Sequence, residues 1–244
     1  MNDEYLKHTD PDKRYVNHST YLDVPQEWLK GSFLEDAETL RQTNERAWRN
    51  EYMGEITGTG GQVFDNLKLR EISDEEIKGL GTFYNGLDFG FSNDPDALTR
   101  WAFSPRTRML YAVSEFYSSH NLTDTLAERV KSIVGSEIVW CDSEAPRDIA
   151  ELRQRGVNAI AAAKGPGSVI AGIKWLQNLA GIVVDRKRTP NIAREFAAYE
   201  YMMDRHENFL ADVPDKDNHT IDSCRYALSQ LILQKAARTR SDLY

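Results

Sequence analysis

Cysteine is nearly absent from this sequence, with only Cys141 and Cys224 among its 244 residues. Structural zinc sites and disulfide frameworks need several cysteines at short, regular spacings, and two cysteines so far apart do not meet that requirement. We therefore expect both thiols to be small buried apolar groups in a protein of a reducing compartment.

Long apolar runs and nucleotide-binding loops are also missing. The sequence has no apolar run of about eighteen residues, the length that a membrane-spanning helix requires. Met1 is followed by polar and charged residues, unlike a signal peptide. No segment matches G-x-x-x-x-G-K-[ST], the loop whose lysine holds ATP phosphates. We therefore expect neither membrane insertion, nor secretion, nor ATP hydrolysis by this polypeptide.

An excess of basic residues, the usual mark of a DNA-binding protein, is absent as well. The net charge is −8, but it is unevenly distributed. Residues 1–80 contain 17 acidic and 10 basic residues, and residues 81–244 contain 21 and 20. This balance argues against strong autonomous DNA binding. It is compatible with chemistry on DNA that a partner delivers.

The two segments also differ in their sequence patterns. Residues 1–80 are rich in Asp, Glu, Asn and Lys, and their spacing predicts helices over Gln26–Leu34 and Asp36–Tyr52. The run Ser73–Glu76 fits a capping box at the start of a short helix. We interpret residues 1–80 as a linker or appendage and residues 81–244 as the folded domain.

From Thr82 onward, three strands precede alternating helices and strands. The predicted strands are Thr82–Gly90, Ala97–Ser104, Met109–Tyr117, Glu137–Cys141, Val157–Ala162 and Ile182–Asp185. The predicted helices are Thr123–Val134, Pro146–Arg155, Ser168–Asn178, Asn191–Met203 and His219–Lys235. A meander that leads into parallel crossovers predicts an α/β fold, with a mixed five-stranded or larger sheet and helices on both faces. That is the architecture of the RNase H-like fold.

Three aspartates stand next to apolar segments. Asp88 lies inside the first predicted strand, Asp142 directly follows the strand that ends at Cys141, and Asp222 lies in the last predicted helix. His219 precedes Asp222 by one helical turn and shares its face. An aspartate beside buried strand residues is partly desolvated, which raises its pKa unless a cation compensates.

These side chains predict a metal site if the first and fourth strands are neighbours. Asp88 and Asp142 would then face one cleft, and the last helix would bring Asp222 and His219 to it. Such ligands suit Mg²⁺ or Mn²⁺, and two ions about 4 Å apart can activate water for phosphodiester hydrolysis. Taken singly, each acid is also explained as a cap or a surface residue.

Lys164 is a further candidate, since it follows a predicted strand and precedes glycines and a helix. A lysine there could hold a phosphate close to a helix N-terminus. A solvated loop lysine is an equally good interpretation.

Four short motifs make the chain resemble the C-terminal nuclease domain of tailed-phage terminase large subunits. They are Gly86–Gly90 with Asn93–Pro95, Trp140–Glu144, Lys164–Ser168, and Asn218–Asp222 followed by Arg225–Ala227. Each motif is short, but their order and spacing together are specific. His18–Asp23 and Tyr52–Glu55 are similar to the stretch that joins the family's ATPase region to its nuclease.

The resemblance implies an RNase H-like endonuclease that cuts concatemeric double-stranded DNA during genome packaging. It implies two divalent ions, Mn²⁺ or Mg²⁺, bound by Asp88, Asp142 and Asp222 with the help of His219. It also implies a terminase small subunit, a portal protein and an ATPase domain as partners, in the cytoplasm of an infected bacterium at the procapsid portal.

Two other functions fit the same residues. Resolvases and transposases share the fold and the three carboxylates, although strand-transfer enzymes of this fold usually end their triad with glutamate. A non-catalytic docking module could use the acids to bind a structural ion.

Overall fold

The computed structural model describes residues 20–25, 28–29, 33–35, 37–38, 41, 48, 52–53, 61–91, 93–203, 209–210 and 212–233. The chain divides into two compact units, Met1–Gly61 and Gln62–Tyr244. The predicted helices Gln26–Leu34 and Asp36–Tyr52 lie largely outside the described residues.

The first unit contains a short capped 3₁₀-helix. This helix spans Tyr21–Asp23, and the side chain of Thr20 accepts a hydrogen bond from the Leu22 N–H. The carboxylate of Asp23 accepts a hydrogen bond from the Thr20 main-chain N–H in return, at 2.7 Å. The rings of Tyr21, Phe33 and Tyr52 pack edge to face, with centroids 5.2 to 6.0 Å apart.

The second unit is built on one mixed sheet. Its strands are β1 (Leu67–Leu69), β2 (Phe83–Asp88), β3 (Pro95–Ser104), β4 (Met109–Ser119), β5 (Val139–Cys141), β6 (Ala159–Ala161) and β7 (Gly181–Val184). The strand order across the sheet is β1-β7-β4-β3-β2-β5-β6. Strands β2, β3 and β4 form an antiparallel meander, and every other pairing is parallel.

Six helices accompany the strands among the described residues. They are α1 (Asp74–Lys78), α2 (Thr123–Val134), α3 (Pro146–Gln154), α4 (Ser168–Gln177), α5 (Pro190–Ala198) and α6 (His219–Ala227). Ser73 caps α1 by accepting from the Glu76 N–H, which is one half of the predicted capping box, and the Glu76 carboxylate pairs with Arg70. Helices α3 and α5 each begin with a proline. The missing N–H of proline costs nothing there, because N–H groups of the first turn have no partner within the helix.

Helices cover both faces of the sheet, because alternate strand residues point to opposite sides. One core joins Trp101, Leu110, Ile182 and Val184 of the sheet to side chains of α4, α5 and α6. The other core joins Leu87, Leu98 and Val139 to side chains of α2 and α3. Cys141 and Cys224 are free and buried, one in each core. The predicted α/β fold class is confirmed.

The sheet unit begins earlier than the predicted boundary at residue 81. Residues 62–80 belong to it, because β1 pairs in parallel with β7 and because Val63, Phe64 and Ile72 are buried. We predicted six strands, and β1 is the seventh.

One predicted helix ends too late, and another is interrupted by a turn. Helix α5 ends at Ala198 instead of Met203, since Tyr199 takes an extended conformation and its carbonyl accepts from the Val63 N–H at 2.9 Å. Helix α6 is interrupted by a turn at Leu228, and helical residues resume over 229–233. The last residues predicted for it lie outside the described part of the chain. None of the described helices has the length and apolar character needed to span a bilayer.

Candidate active site

Asp88 and Asp142 lie side by side at the carboxyl ends of two neighbouring parallel strands. The pairing of β2 with β5 aligns Leu87 with Cys141, and the Asp142 N–H donates to the Leu87 carbonyl at 3.0 Å. Asp88 directly follows Leu87, and Asp142 directly follows Cys141. The condition for a shared cleft, that these two strands be adjacent, is therefore met.

Helix α6 lies across β2 and β3 on the face that Asp88 shares with Gly86. The Ser223 hydroxyl donates to the Gly86 carbonyl at 2.8 Å and lies 2.7 Å from the Thr99 hydroxyl. Both hydrogen bonds are buried and fix the helix on the sheet. As a result, Asp222 and His219 come to the end of β2.

His219 contacts Asp88 directly. Its Nδ1 atom lies 3.1 Å from Oδ2 of Asp88. Burial, together with the charges of Asp222 and Asp142, raises the pKa of Asp88 to about 6, although the hydrogen bond with His219 opposes the shift. The same hydrogen bond raises the pKa of His219 above its ordinary value.

Tyr226 lies close enough to all three aspartates for their charges to affect the pKa of its hydroxyl. Burial raises the pKa of the Tyr226 hydroxyl, and the charges of Asp222, Asp88 and Asp142 raise it further. Tyr226 follows Asp222 by about one turn of α6. The structure therefore brings the three predicted aspartates and His219 to one end of the sheet.

Two basic side chains neutralise two of these acids. Lys164 Nζ lies 2.5 Å from Oδ1 of Asp142 and 3.4 Å from Oε1 of Glu144. Arg225 pairs with Oδ1 of Asp222 one turn along α6. Burial raises the pKa of Asp222, while the charges of Arg225 and Lys164 oppose that shift.

The donor atoms suit a hard divalent cation, although no preformed ligand set is present. Within the described residues, no three carboxylate, imidazole or thiol groups are arranged to hold a metal ion. Asp142 and Asp222 each engage Oδ1 with a basic side chain, so Oδ2 of each remains as a potential ligand. Carboxylate oxygens with one imidazole fit Mg²⁺ or Mn²⁺.

Glu195, a buried carboxylate behind the site, was not among the residues predicted from the sequence. Its Oε2 accepts from the Thr220 N–H and from the Thr220 hydroxyl, both at 2.7 Å. Its Oε1 accepts from the Tyr117 hydroxyl at 2.7 Å. These contacts hold the first turn of α6, where His219 lies. The available signal was a glutamate on the apolar face of α5, between Ile192 and Phe196.

Residues 88–230 match the family model of the terminase RNase H-like domain. The large subunit of the terminase of Bacillus phage SPP1 is 40% identical over 225 residues, which cover 90% of this chain and 53% of that protein. The PBSX phage terminase large subunit of Bacillus subtilis (strain 168) is 26% identical over 221 residues, with coverages of 88% and 50%. The chain thus spans about half the length of these curated relatives.

Solved structures agree with this match. The crystal structure of the g2p (large terminase) nuclease domain from bacteriophage SPP1, with bound Mn, superposes with a TM-score of 0.65 at 40% identity. That match covers 68% of this chain and 97% of the SPP1 domain. The nuclease domain of the P22 large terminase has a TM-score of 0.53 at 19% identity, covering 70% and 92%. At that identity, the P22 match supports the fold alone.

Proposed function

The chain belongs to the terminase RNase H-like domain family, and on that basis we propose that it is a metal-dependent endonuclease that cuts double-stranded DNA. The observation that carries this proposal is the contact of His219 with Asp88 beside Asp142 and Asp222. Burial raises the pKa of Asp88 to about 6, and the negative charges of Asp222 and Asp142 add to that shift. Crowded carboxylates of this kind are stabilised by a bound cation.

We propose Asp88, Asp142, Asp222 and His219 as the ligands of two divalent ions, Mn²⁺ or Mg²⁺. The related SPP1 nuclease domain was solved with bound Mn, which supports Mn²⁺ for this chain. When bound, the ions would supply Lewis-acid stabilisation of the phosphate and lower the pKa of the attacking water.

The protein's own side chains would orient these ligands. Since Oδ2 of Asp88 contacts Nδ1 of His219, Oδ1 of the aspartate and Nε2 of the histidine remain for an ion. A carboxylate in contact with a ligating imidazole fixes its tautomer and ring orientation. Arg225 holds Oδ1 of Asp222 in the same way. Lys164 would contact a DNA phosphate near the start of α4.

The cellular role follows from the longer relatives and is part of the proposal. The chain would cut concatemeric phage DNA during genome packaging, in the cytoplasm of the infected host at the procapsid portal. Its partners would be the terminase small subunit, the portal protein and an ATPase domain outside this sequence. Residues 1–61 would connect the nuclease to that ATPase domain.

Nicking of a supercoiled plasmid tests the activity. Purified chain with Mn²⁺ or Mg²⁺ should convert the plasmid to open-circular and linear forms, and EDTA should stop the reaction. Asp88→Asn, Asp142→Asn and Asp222→Asn should each lose at least about 100-fold in rate, because loss of a group that only supports a metal ligand already costs about 10- to 100-fold. Asp65→Asn, an exposed acid remote in sequence from these motifs, is the matched control and should keep full activity.

The same assay separates the other functions. Cleavage that occurs only on branched junctions would indicate a resolvase. If the chain binds Mn²⁺ and the plasmid nevertheless stays supercoiled, the chain is a docking module and the nuclease proposal fails.

A further inference from the structure

Lys164 occupies the gap between the strand end that carries Asp142 and the helix that carries Asp222. Its ammonium lies 2.5 Å from Oδ1 of Asp142 and 5.0 Å from the ring centroid of Tyr226, on α6. Its charge also opposes the effect of burial, which raises the pKa of Asp222. The positive charge of Lys164 thus acts on both Asp142 and Asp222, which are two of the proposed metal ligands.

Lys164 and Arg225 differ in how freely they can move. Arg225 is only 5% exposed, and its side chain packs so tightly on α4 that a β-carbon at Gly172 would lie 3.0 Å from it. Lys164 is 23% exposed and lies in the loop between β6 and α4. Its flexible four-carbon side chain ends in an ammonium group with three hydrogen-bond donors. The ammonium can therefore change partners at little cost in free energy.

An alternative partner for Lys164 is already within reach. Oε1 of Glu144 lies 3.4 Å from Lys164 Nζ, and the Glu144 side chain is 81% exposed. The ammonium can therefore move from Asp142 toward solvent without becoming unpaired.

We propose that Lys164 is an internal counter-cation that a divalent ion displaces from Asp142. This inference rests on the proposed function. An ammonium and a divalent ion repel each other at the same carboxylate, so ion binding moves Lys164 to Glu144 and toward solvent. There its charge faces incoming DNA phosphate. The same lysine keeps the acids together without metal and becomes a phosphate contact after metal binds.

Lysine acylation measured by mass spectrometry tests the displacement directly. The full chain is labelled with acetic anhydride, with and without saturating Mn²⁺. Mn²⁺ should raise the labelling rate of Lys164 several-fold, because its ammonium leaves the contact with Asp142. Lys174, exposed on α4, is the internal control and should be labelled equally in both states. Asp142→Asn should give fast labelling of Lys164 even without metal.

Calorimetry of Mn²⁺ binding provides a second, independent measurement. Lys164→Met keeps the alkyl stem against Tyr226 and removes the competing charge, so it should tighten Mn²⁺ binding by about three- to fivefold, the scale of one partly exposed ion pair. Lys174→Met removes an equal charge elsewhere and should leave the affinity within about twofold, since distant exposed charges are screened.

The outcomes separate this inference from the proposed function. Mn²⁺ that binds while the labelling of Lys164 stays constant would overturn the displacement alone. Weaker Mn²⁺ binding by Lys164→Met would also overturn it, because the lysine would then assemble the acids for the ion. If wild type binds Mn²⁺ no better than Asp88→Asn does, the metal site itself is wrong, and both proposals fail.

Discussion

Helix α6 crosses strand β2 so closely that a β-carbon added at Gly86 would lie 1.8 Å from the carbonyl oxygen of Ser223. Real side chains do not tolerate that distance, and the obstructing atom belongs to the backbone of a packed helix. Gly86 is therefore required at this crossing for lack of a side chain. The crossing is what brings His219 and Asp222 to Asp88.

Replacing Gly86 by alanine should separate α6 from the sheet. Since the backbone of α6 must shift, we expect Gly86→Ala to lower the free energy of unfolding by about 3 kcal/mol, the upper range for overpacking a core. Mn²⁺-dependent nicking should fall by more than tenfold, because His219 moves away from Asp88. Thermal melting and the plasmid assay measure the two effects.

Gly81→Ala is the matched control for this substitution. Gly81 precedes the same strand, and a β-carbon there would meet no atom within 4 Å. Its melting temperature and nicking rate should equal those of the wild type. Equal losses in both variants would show that the crossing at Gly86 has no special role.

Glu195 should act as a positioning residue for His219. Glu195→Ala leaves the buried N–H of Thr220 and the hydroxyl of Tyr117 without an acceptor, which should cost about 3 kcal/mol of unfolding free energy. Nicking should slow at the same time, because the first turn of α6 loses its anchor. Burial and Glu195 raise the pKa of Tyr117, so its hydroxyl stays protonated and donates.

Glu195→Gln distinguishes positioning from general stability. Its amide oxygen can still accept from the Thr220 N–H, so we expect it to recover most of the nicking rate that Glu195→Ala loses. Glu128→Ala, an exposed position on α2, should change neither property. If Glu195→Gln melted like the wild type but nicked as slowly as Glu195→Ala, geometry alone would not explain the role of Glu195.

The sequence was sufficient for elements whose spacing is regular. Helix α2 has the predicted limits, Thr123–Val134, because its buried side chains recur at helical spacing and Gly135 follows with a φ of +62°. Asp88 and Asp142 stood out because acids are costly next to buried strands. The family and fold were predicted from the order of such motifs.

What the sequence could not predict depends on contacts between distant segments. Strand β1 has only three residues, and it is a strand because it pairs with β7. Helix α5 ends at Ala198 because the next carbonyl bonds to Val63. The pairing of Lys164 with Asp142 joins two loops, and no local pattern indicates it.

The raised pKa of Asp88 predicts how the metal-free protein responds to pH. The pKa rises from 3.8 to about 6 on folding, so the protonated form is favoured in the folded state. Stability from this group is fully present below pH 3.8 and is lost as the pH rises to about 6. Asp88→Asn removes this loss, which amounts to at most about 3 kcal/mol.

Thermal melting in EDTA across a pH series measures this effect. Asp88→Asn should be more stable than the wild type, by a margin that grows up to about pH 6 and is constant above it. Asp65→Asn should show no such trend. A margin that is independent of pH would mean that folding does not raise the pKa of Asp88.

Proton release on metal binding gives the last prediction. Because the pKa values of Asp88 and His219 are both raised, protons compete with Mn²⁺ for these two side chains, and affinity should increase with pH through both pKa values. Below about pH 6, the affinity should fall by about tenfold for each pH unit of acidification and for each proton that the ion displaces.

Calorimetry in two buffers of different ionisation enthalpy counts the protons released. His219→Gln should remove the release that persists above pH 6.5 and leave that of Asp88. Mn²⁺ affinity that is constant across this range would place the ion away from both residues, since a ligand that must lose a proton always makes binding depend on pH.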